Sequence, residues 1–275
     1  NSTTKDWDAT DVKVALIYPD TYEVGMSNLG LAILYDLVNR HPHFLAERAF
    51  APWIDMEAEM RKASLPLFSL ESHRPLRQFD VIGFSLGYEL TYTNVLNMLD
   101  LAGIPLLAAE RDDTYPLIIG GGSCALNPEP VAAFFDLFVL GDGEEVFIEL
   151  LEIVRRWKRE GTRSKATLLL ELAAIPGVYV PSLYRVEYNN DGTVSHIAPL
   201  SPEVSPTVRR RIVATLPPAP TRPVVPFVET VHDRAAIEIQ RGCTRGCRFC
   251  QAGIIYRPLR RRPEEEVLAA VDGLL

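Results

Sequence analysis

Cys243, Cys247 and Cys250 fall within eight residues, in the run Arg241-Gly-Cys-Thr-Arg-Gly-Cys-Arg-Phe-Cys. Three thiolates at C-x3-C-x2-C spacing can converge on one metal centre without help from distant segments. A closed structural zinc site takes four protein ligands, and so does an all-cysteine iron–sulfur cluster. Three ligands leave one metal position open, and an open position is where a metal does chemistry. Zinc is the competing reading. Its common spacings open with C-x2-C pairs and need a second Cys or His pair downstream, yet no Cys or His follows Cys250. The spacing favours an iron–sulfur centre.

With Phe249 directly before the third cysteine, the motif resembles that of the radical S-adenosylmethionine (radical SAM) enzymes. The resemblance implies that Cys243, Cys247 and Cys250 hold a [4Fe–4S] cluster. It implies that the fourth iron is chelated by the amino and carboxylate groups of S-adenosylmethionine, with Phe249 against the adenine side. It also implies one-electron cleavage of the sulfonium, fed by an external electron donor, and hydrogen abstraction from a substrate by the resulting 5′-deoxyadenosyl radical. No catalytic side chain beyond these is identified.

The chain has 275 residues, length for about two domains, with 47% hydrophobic and 23% charged residues, as in an ordinary globular protein. No run of about 18 uncharged apolar residues suggests a membrane span, and no apolar signal-peptide core opens the sequence. Four cysteines are too few for a disulfide framework, and a thiolate-held cluster needs a reducing compartment, so a cytoplasmic location is expected. The net charge of −8 argues against nucleic-acid binding through the bulk surface. It hides a local reversal: residues 240–262 hold arginines 241, 245, 248, 257, 260, 261 and 262 and no acid. These either coat a solvated loop or neutralise an anionic cluster, a cofactor carboxylate or a phosphate-bearing substrate.

The elements that must position the motif alternate. Strands are expected at 12–18, 45–50, 79–86, 115–119 and 135–140, and helices at 28–39, 54–63, 91–102 and 144–159. Five strands, read as each followed by a helix although no range is assigned after the fourth, predict a parallel sheet covered on both faces, doubly wound in the flavodoxin-like order. Ligands of such sheets bind outside the carboxyl ends of the strands. The loops that matter are therefore 19–27, 87–92, 120–127 and 141–145, two of them glycine-rich.

A flavodoxin-like domain upstream of this cysteine motif is similar to the cobalamin-binding domain of B12-dependent radical SAM proteins. The stretches from Gly120-Gly121-Gly122 and from Gly141-Asp142-Gly143 resemble that class's fourth and fifth strand ends, which implies contacts to the corrin ring. Base-off cobalamin proteins carry Asp-x-His-x-x-Gly after the first strand; here Asp20-Thr-Tyr22-Glu-Val-Gly25 keeps the spacing and puts Tyr22 at the His position. Imidazole ligates cobalt well and a phenol with pKa near ~10 poorly. A bound cobalamin would thus lack a protein imidazole, or the domain has lost the cofactor. Cys124 reads as a small buried side chain off the cluster. The His41/His43 pair reads as an exposed turn around Pro42.

The expected organisation is a tail over 1–12, the cobalamin-type domain over 13–160 and a connector over 161–232. A barrel of the TIM type begins at 233. The connector holds a helix at 166–174, strand-like stretches at 178–180 and 183–188, a turn at 189–192 leading to 194–197 as a β-hairpin, and a proline-rich linker. A strand is expected at 235–240, running into the cysteine loop, then an amphipathic helix at 264–275 with Val267, Leu268, Val271, Leu274 and Leu275 on one face. Glu238 and Gln240 alternate with Ile237 and Ile239, and only one pair faces the interior. One βα unit cannot close a barrel, so a truncated barrel, inactive by itself, is expected. The expected partners are an unidentified substrate (RNA, protein or small molecule) and no membrane. The competing functions are a radical enzyme whose first domain no longer binds cobalamin, and a zinc-stabilised module binding nucleic acid or protein.

Overall fold

The computed structural model describes residues 2–161, 164–232 and 234–274. β1 (Val12–Tyr18) is the mostly apolar run of a strand covered on both faces. It lies between β2 (Phe44–Phe50) and β3 (Val81–Ser85), parallel to both. β4 (Leu117–Gly121) and β5 (Leu137–Val139) extend the parallel sheet, and β6 (Val178–Tyr179) closes its edge antiparallel to β5. The order β2-β1-β3-β4-β5-β6 is the flavodoxin-like one with an added edge strand.

Alternation along β1 divides the core in two. Val14 and Leu16 pack under α2 (Leu29–Arg40), α5 (Glu144–Glu160) and α6 (Lys165–Ala173), with Tyr35, Leu150 and Leu168. Ala15 and Ile17 face α3 (Ile54–Lys62) and α4 (Tyr92–Leu101), with Met60, Met98 and Phe138. Asn28 fixes the start of α2, its side chain accepting from the Leu31 N–H at 2.8 Å. α1 (Tyr22–Gly25) is a single turn in the first strand-end loop. α5 carries Glu144 and Glu145 in its first turn and Lys158 and Arg159 in its last, matching its dipole, and ends on left-handed Gly161.

Three expectations change. β4 is not followed by an α-helix. Two short 3-10 turns, Ser123–Leu126 and Glu129–Phe134, replace it, because the glycine run ahead and Pro128 and Pro130 within break helical hydrogen bonding. The edge strand β6 was not foreseen as part of this sheet; as an antiparallel edge it needs only two paired residues. The strand expected at 235–240 does not form. A strand needs a neighbour for its backbone groups; only Gln240 and Arg241 enter a ladder, with the Ile239 carbonyl accepting from the Arg262 N–H just before it. They form β9 (Gln240–Arg241), antiparallel to β10 (Arg260–Arg261), which closes the cysteine loop at its base.

β7 (Tyr184–Tyr188) and β8 (Val194–Pro199) form the hairpin. α7 (Ala252–Ile255) is one turn after Cys250, and α8 (Glu264–Leu274) follows β10; Leu275 lies outside the described residues. Among the described residues, no helix is long and apolar enough to cross a membrane.

Candidate functional site

A cleft of about 450 Å³ opens at the carboxyl ends of β3, β4 and β5. Its apolar side is formed by Leu16, Ile119, Val139 and Phe147, together with the first turn of α2. Its polar rim comprises Ser85, Asp142, Glu144, Glu238, Gln240 and Arg241. This is the place and the composition of a ligand site in a doubly wound fold.

Gly121, Gly122, Gly141 and Gly143 line this cleft, whereas Tyr22, Gly25 and Gly120 do not. Gly120 lies where a Cβ would sit 2.6 Å from the Phe138 ring, and a Cβ on Gly25 would run into the Phe50 ring. Both admit close packing below the loops. Tyr22 meets Phe50 edge-on at 5.5 Å, and its hydroxyl accepts from the Phe227 N–H at 2.8 Å. Gly141 has φ +101°, and its outer side is filled by the Arg211 backbone. There the connector runs alongside the strand end. The Arg211 N–H donates to the Leu140 carbonyl at 2.7 Å, and the Asp142 N–H donates to the Arg211 carbonyl at 3.0 Å.

Asp142 is the node of the rim. It is only 5% exposed. It accepts from the Val213 N–H at 2.9 Å, from Arg241 Nη1 at 3.0 Å and from Arg260 Nη1. Burial pushes its pKa up, but the Val213 hydrogen bond and the guanidiniums of Arg260 and Arg241 outweigh burial and hold it below the usual carboxylate range. Arg241 also reaches Glu144 at 2.6 Å and Glu238 at 2.9 Å. Burial alone would lower its pKa; the hydrogen bonds to Glu238 and Glu144 raise it. Arg262 is buried and donates to the carbonyls of Glu238 and Pro217.

Arg241 and Arg260 therefore clamp the cysteine segment to the sheet domain, and Arg262 ties it to the connector at Pro217, which neither reading of the arginine run anticipated. Asp142 and Glu144 were missed as functional residues. The available signal was the charge match between the acidic strand end Gly-Asp-Gly-Glu-Glu and an acid-free arginine run about a hundred residues later. Glu238 and Gln240 are the pair that faces the cleft, and Ile239 points outward, 58% exposed.

The cysteine loop spans 242–259. Gly242 begins it at φ +88°, pressed against the carbonyls of Tyr256 and Pro258. Cys247 is exposed, and Cys243 and Cys250 are half-buried. The Arg245 N–H points at Cys243 Sγ (3.3 Å) and the Gly253 N–H at Cys250 Sγ (3.4 Å). Arg257 ties the loop across itself, donating to the carbonyls of Gly253 (2.8 Å) and Arg245 (2.9 Å). Phe249 projects from it, 93% exposed.

Among the described residues no three Cys, His, Asp or Glu side chains are gathered into a metal-holding group. The donor set nevertheless suits an iron–sulfur cluster. Three thiols share one accessible loop, and backbone N–H groups already point at two of the sulfurs, as around cluster thiolates.

Cys124 lies apart, buried beside Tyr92 and Glu89. Burial and the Glu89 carboxylate push its thiol up, which makes it a poor ligand. His41 stacks on Phe44 at 4.2 Å and faces Glu152, and His43 faces Asp11; the pair does flank a turn at exposed Pro42, but both rings are half-buried.

A flavodoxin-like sheet with a three-cysteine loop rooted at its carboxyl ends defines a two-part α/β protein; Gly242 and Tyr256 of that loop line the cleft, while Cys243 lines a separate hollow with Arg210 and Arg257. The sequence model of the family described as radical SAM proteins, N-terminal, matches residues 30–181, and the chain belongs to that family. It is 26% identical over 258 residues to the uncharacterised protein MJ0966 of Methanocaldococcus jannaschii, covering 93% of this chain and 44% of that protein. The chain thus spans less than half the length of that relative.

Its fold resembles that of the cobalamin-dependent S-adenosylmethionine radical enzyme OxsB, solved with aqua-cobalamin and S-adenosylmethionine bound. The TM-score is 0.57 and the identity 19%, over 96% of this chain and 31% of that one. It also resembles the radical S-adenosylmethionine methyltransferase TsrM from Kitasatospora setae, solved with cobalamin and a [4Fe–4S] cluster. There the TM-score is 0.53 and the identity 15%, over 95% and 46% of the two chains. At these identities the likeness is one of fold.

Proposed function

We propose that the chain is the cofactor-binding part of a radical SAM enzyme, in which Cys243, Cys247 and Cys250 hold a [4Fe–4S] cluster and the cleft takes a cobalamin. One-electron reductive cleavage of the S-adenosylmethionine sulfonium is the chemistry such a cluster supplies. The observation that carries the reading is the three-thiol loop clamped at the carboxyl ends of a flavodoxin-like sheet, with its rim residues Glu238, Gln240 and Arg241 forming one wall of the cleft.

The chain's own residues would do the following. The three thiols bind the metal centre and leave one position open. The N–H groups of Arg245 and Gly253 stabilise negative charge on two sulfurs. Phe249, fully available beside Cys250, offers an aromatic face to the adenine. Gly121, Gly122, Gly141 and Gly143 let a large ligand approach the strand ends, and Gln240 and Ser85 offer neutral hydrogen-bonding groups suited to an amide-bearing macrocycle. Tyr22 is engaged with Phe50 and Phe227, and no His among the described residues lines the cleft, so a cobalamin there would find no imidazole among them. Methyl transfer to an unactivated carbon is the outcome such a pair of cofactors would favour.

The same engagement of Tyr22 supports a second reading, in which the thiol centre is as above and the cleft positions a different ligand. Anaerobic reconstitution of the chain with iron and sulfide tests the first claim. About four irons per chain are expected from the cluster stoichiometry, lost in Cys243→Ser and retained in Cys124→Ser. Zinc without iron would overturn the proposal. Titration with hydroxocobalamin separates the two readings: a stoichiometric bound spectrum supports cobalamin, and none supports the second.

A further inference from the structure

Both ends of the cysteine loop meet on one carboxylate. Arg241, two residues before Cys243, donates to Asp142 Oδ1. Arg260, ten residues after Cys250, donates to Asp142 Oδ2, which also takes the Val213 N–H. Between these anchors the loop is held by the two-residue β9–β10 pairing, by Arg257 across its middle, by Arg210 donating to the Arg257 carbonyl, and by α7 lying against the turn Ser123–Leu126. Its outer part is exposed at Cys247 and Phe249, so burial does not fix it. Asp142 itself belongs to the strand-end loop of β5, between the cleft-lining Gly141 and Gly143. The ion pairs around it are desolvated, with the Arg260 and Arg241 side chains largely covered. Buried charge pairs of this kind contribute little net stability but hold geometry strictly.

We propose that Asp142 is a positioning residue: by holding Arg241 and Arg260 together, with Glu144 beside it on Arg241, it fixes the three-cysteine loop against the β5 end of the cleft, so that the two sites are set in one relation. A shared anchor makes the two sites energetically coupled, and such coupling is reciprocal. The coupling rests on the reading that the thiols hold a metal centre and the cleft a cofactor; the anchoring does not.

Hydrogen exchange read by mass spectrometry on the metal-free chain tests the anchoring without any cofactor. Asp142→Asn keeps the shape and removes the charge, and Arg241→Gln and Arg260→Gln each remove one arm. The expected result is exchange of the amides of 240–261 faster by roughly tenfold or more, the scale of losing one charged hydrogen-bond partner, with β1–β5 unchanged. In reconstituted protein, Asp142→Asn is expected to keep its iron and alter the electron paramagnetic resonance line shape of the reduced centre. Unchanged exchange in 240–261 in all three variants overturns the proposal. So does protection lost evenly across the sheet in all three, since Asp142 would then serve the fold and not the loop. Wild-type protein that takes up no iron overturns the metal-centre reading instead, and the exchange result still decides the anchoring.

Discussion

Gly141 is the position at which the described architecture is most exposed to refutation. Its φ of +101° is one that side-chain-bearing residues avoid, at a cost of about 1–2 kcal/mol. A methyl group there would lie 2.8 Å from the Arg211 nitrogen and 3.1 Å from its carbonyl carbon, and closer still to its oxygen. These are backbone atoms and cannot swing aside. The strip would have to move, loosening the Arg211-to-Leu140 and Asp142-to-Arg211 hydrogen bonds, at about 1 kcal/mol each. Gly141→Ala is therefore expected to cost about 3–4 kcal/mol. Gly103→Ala is the control: φ there is +66°, and nothing stands within 4 Å of the added methyl. It should cost only the conformational term of about 1 kcal/mol. Urea unfolding of both variants measures the difference, expected to be about 2 kcal/mol or more. Equal losses would mean that the connector is not stitched to the end of β5, and the anchoring of the cysteine loop through Asp142 would fall with it.

Asn28→Ala removes the oxygen that accepts from Leu31 N–H at the cleft-lining end of α2; a loss of about 1 kcal/mol in thermal unfolding is expected, with Asn28→Asp close to wild type. Asp142 also predicts an acid limb. Its folded pKa is depressed, so its contribution is present above the unfolded value of about 3.9 and is lost as pH falls from there through the lower folded value. The stability difference between wild type and Asp142→Asn should stay flat at neutral pH and shrink below about pH 4, and a difference that widened on acidification would contradict the assignment.

What could be read from residues alone was whatever depends on short-range pattern. The buried runs of β1 and β3, the helical spacing over 28–39 and the glycines at the ends of β4 and β5 are each local, and together with right-handed crossovers they impose the strand order. The cysteine spacing is likewise local. The misses share a different cause. A strand at 235–240 was expected from its apolar alternation, but alternation sets which face a residue presents and says nothing about whether a neighbour exists to take its hydrogen bonds. The helix expected after β4 ignored Pro128 and Pro130. The role of Asp142 depends on partners 71, 99 and 118 residues away. No periodicity carries that information; only the match between an acidic strand end and a distant basic run hints at it.

That dependence on distant charge follows from what a metal-binding loop, the role proposed for 242–259, would require. Three thiols that must receive a metal and leave one position open cannot be packed into a core, because packing would close the open position. Exposed loops with few apolar contacts drift, and a metal centre that drifts cannot be held at a set distance from a second site. Apolar anchoring at the base would be stable but tolerant, since hydrophobic contacts are non-directional. A buried carboxylate shared by two guanidiniums and a backbone N–H is less favourable in net stability. It admits one arrangement only, because any slip leaves a charge unpaired out of water. The loop 242–259 has this construction: open at Cys247 and Phe249, and fixed at its base by Arg241, Arg260 and Asp142.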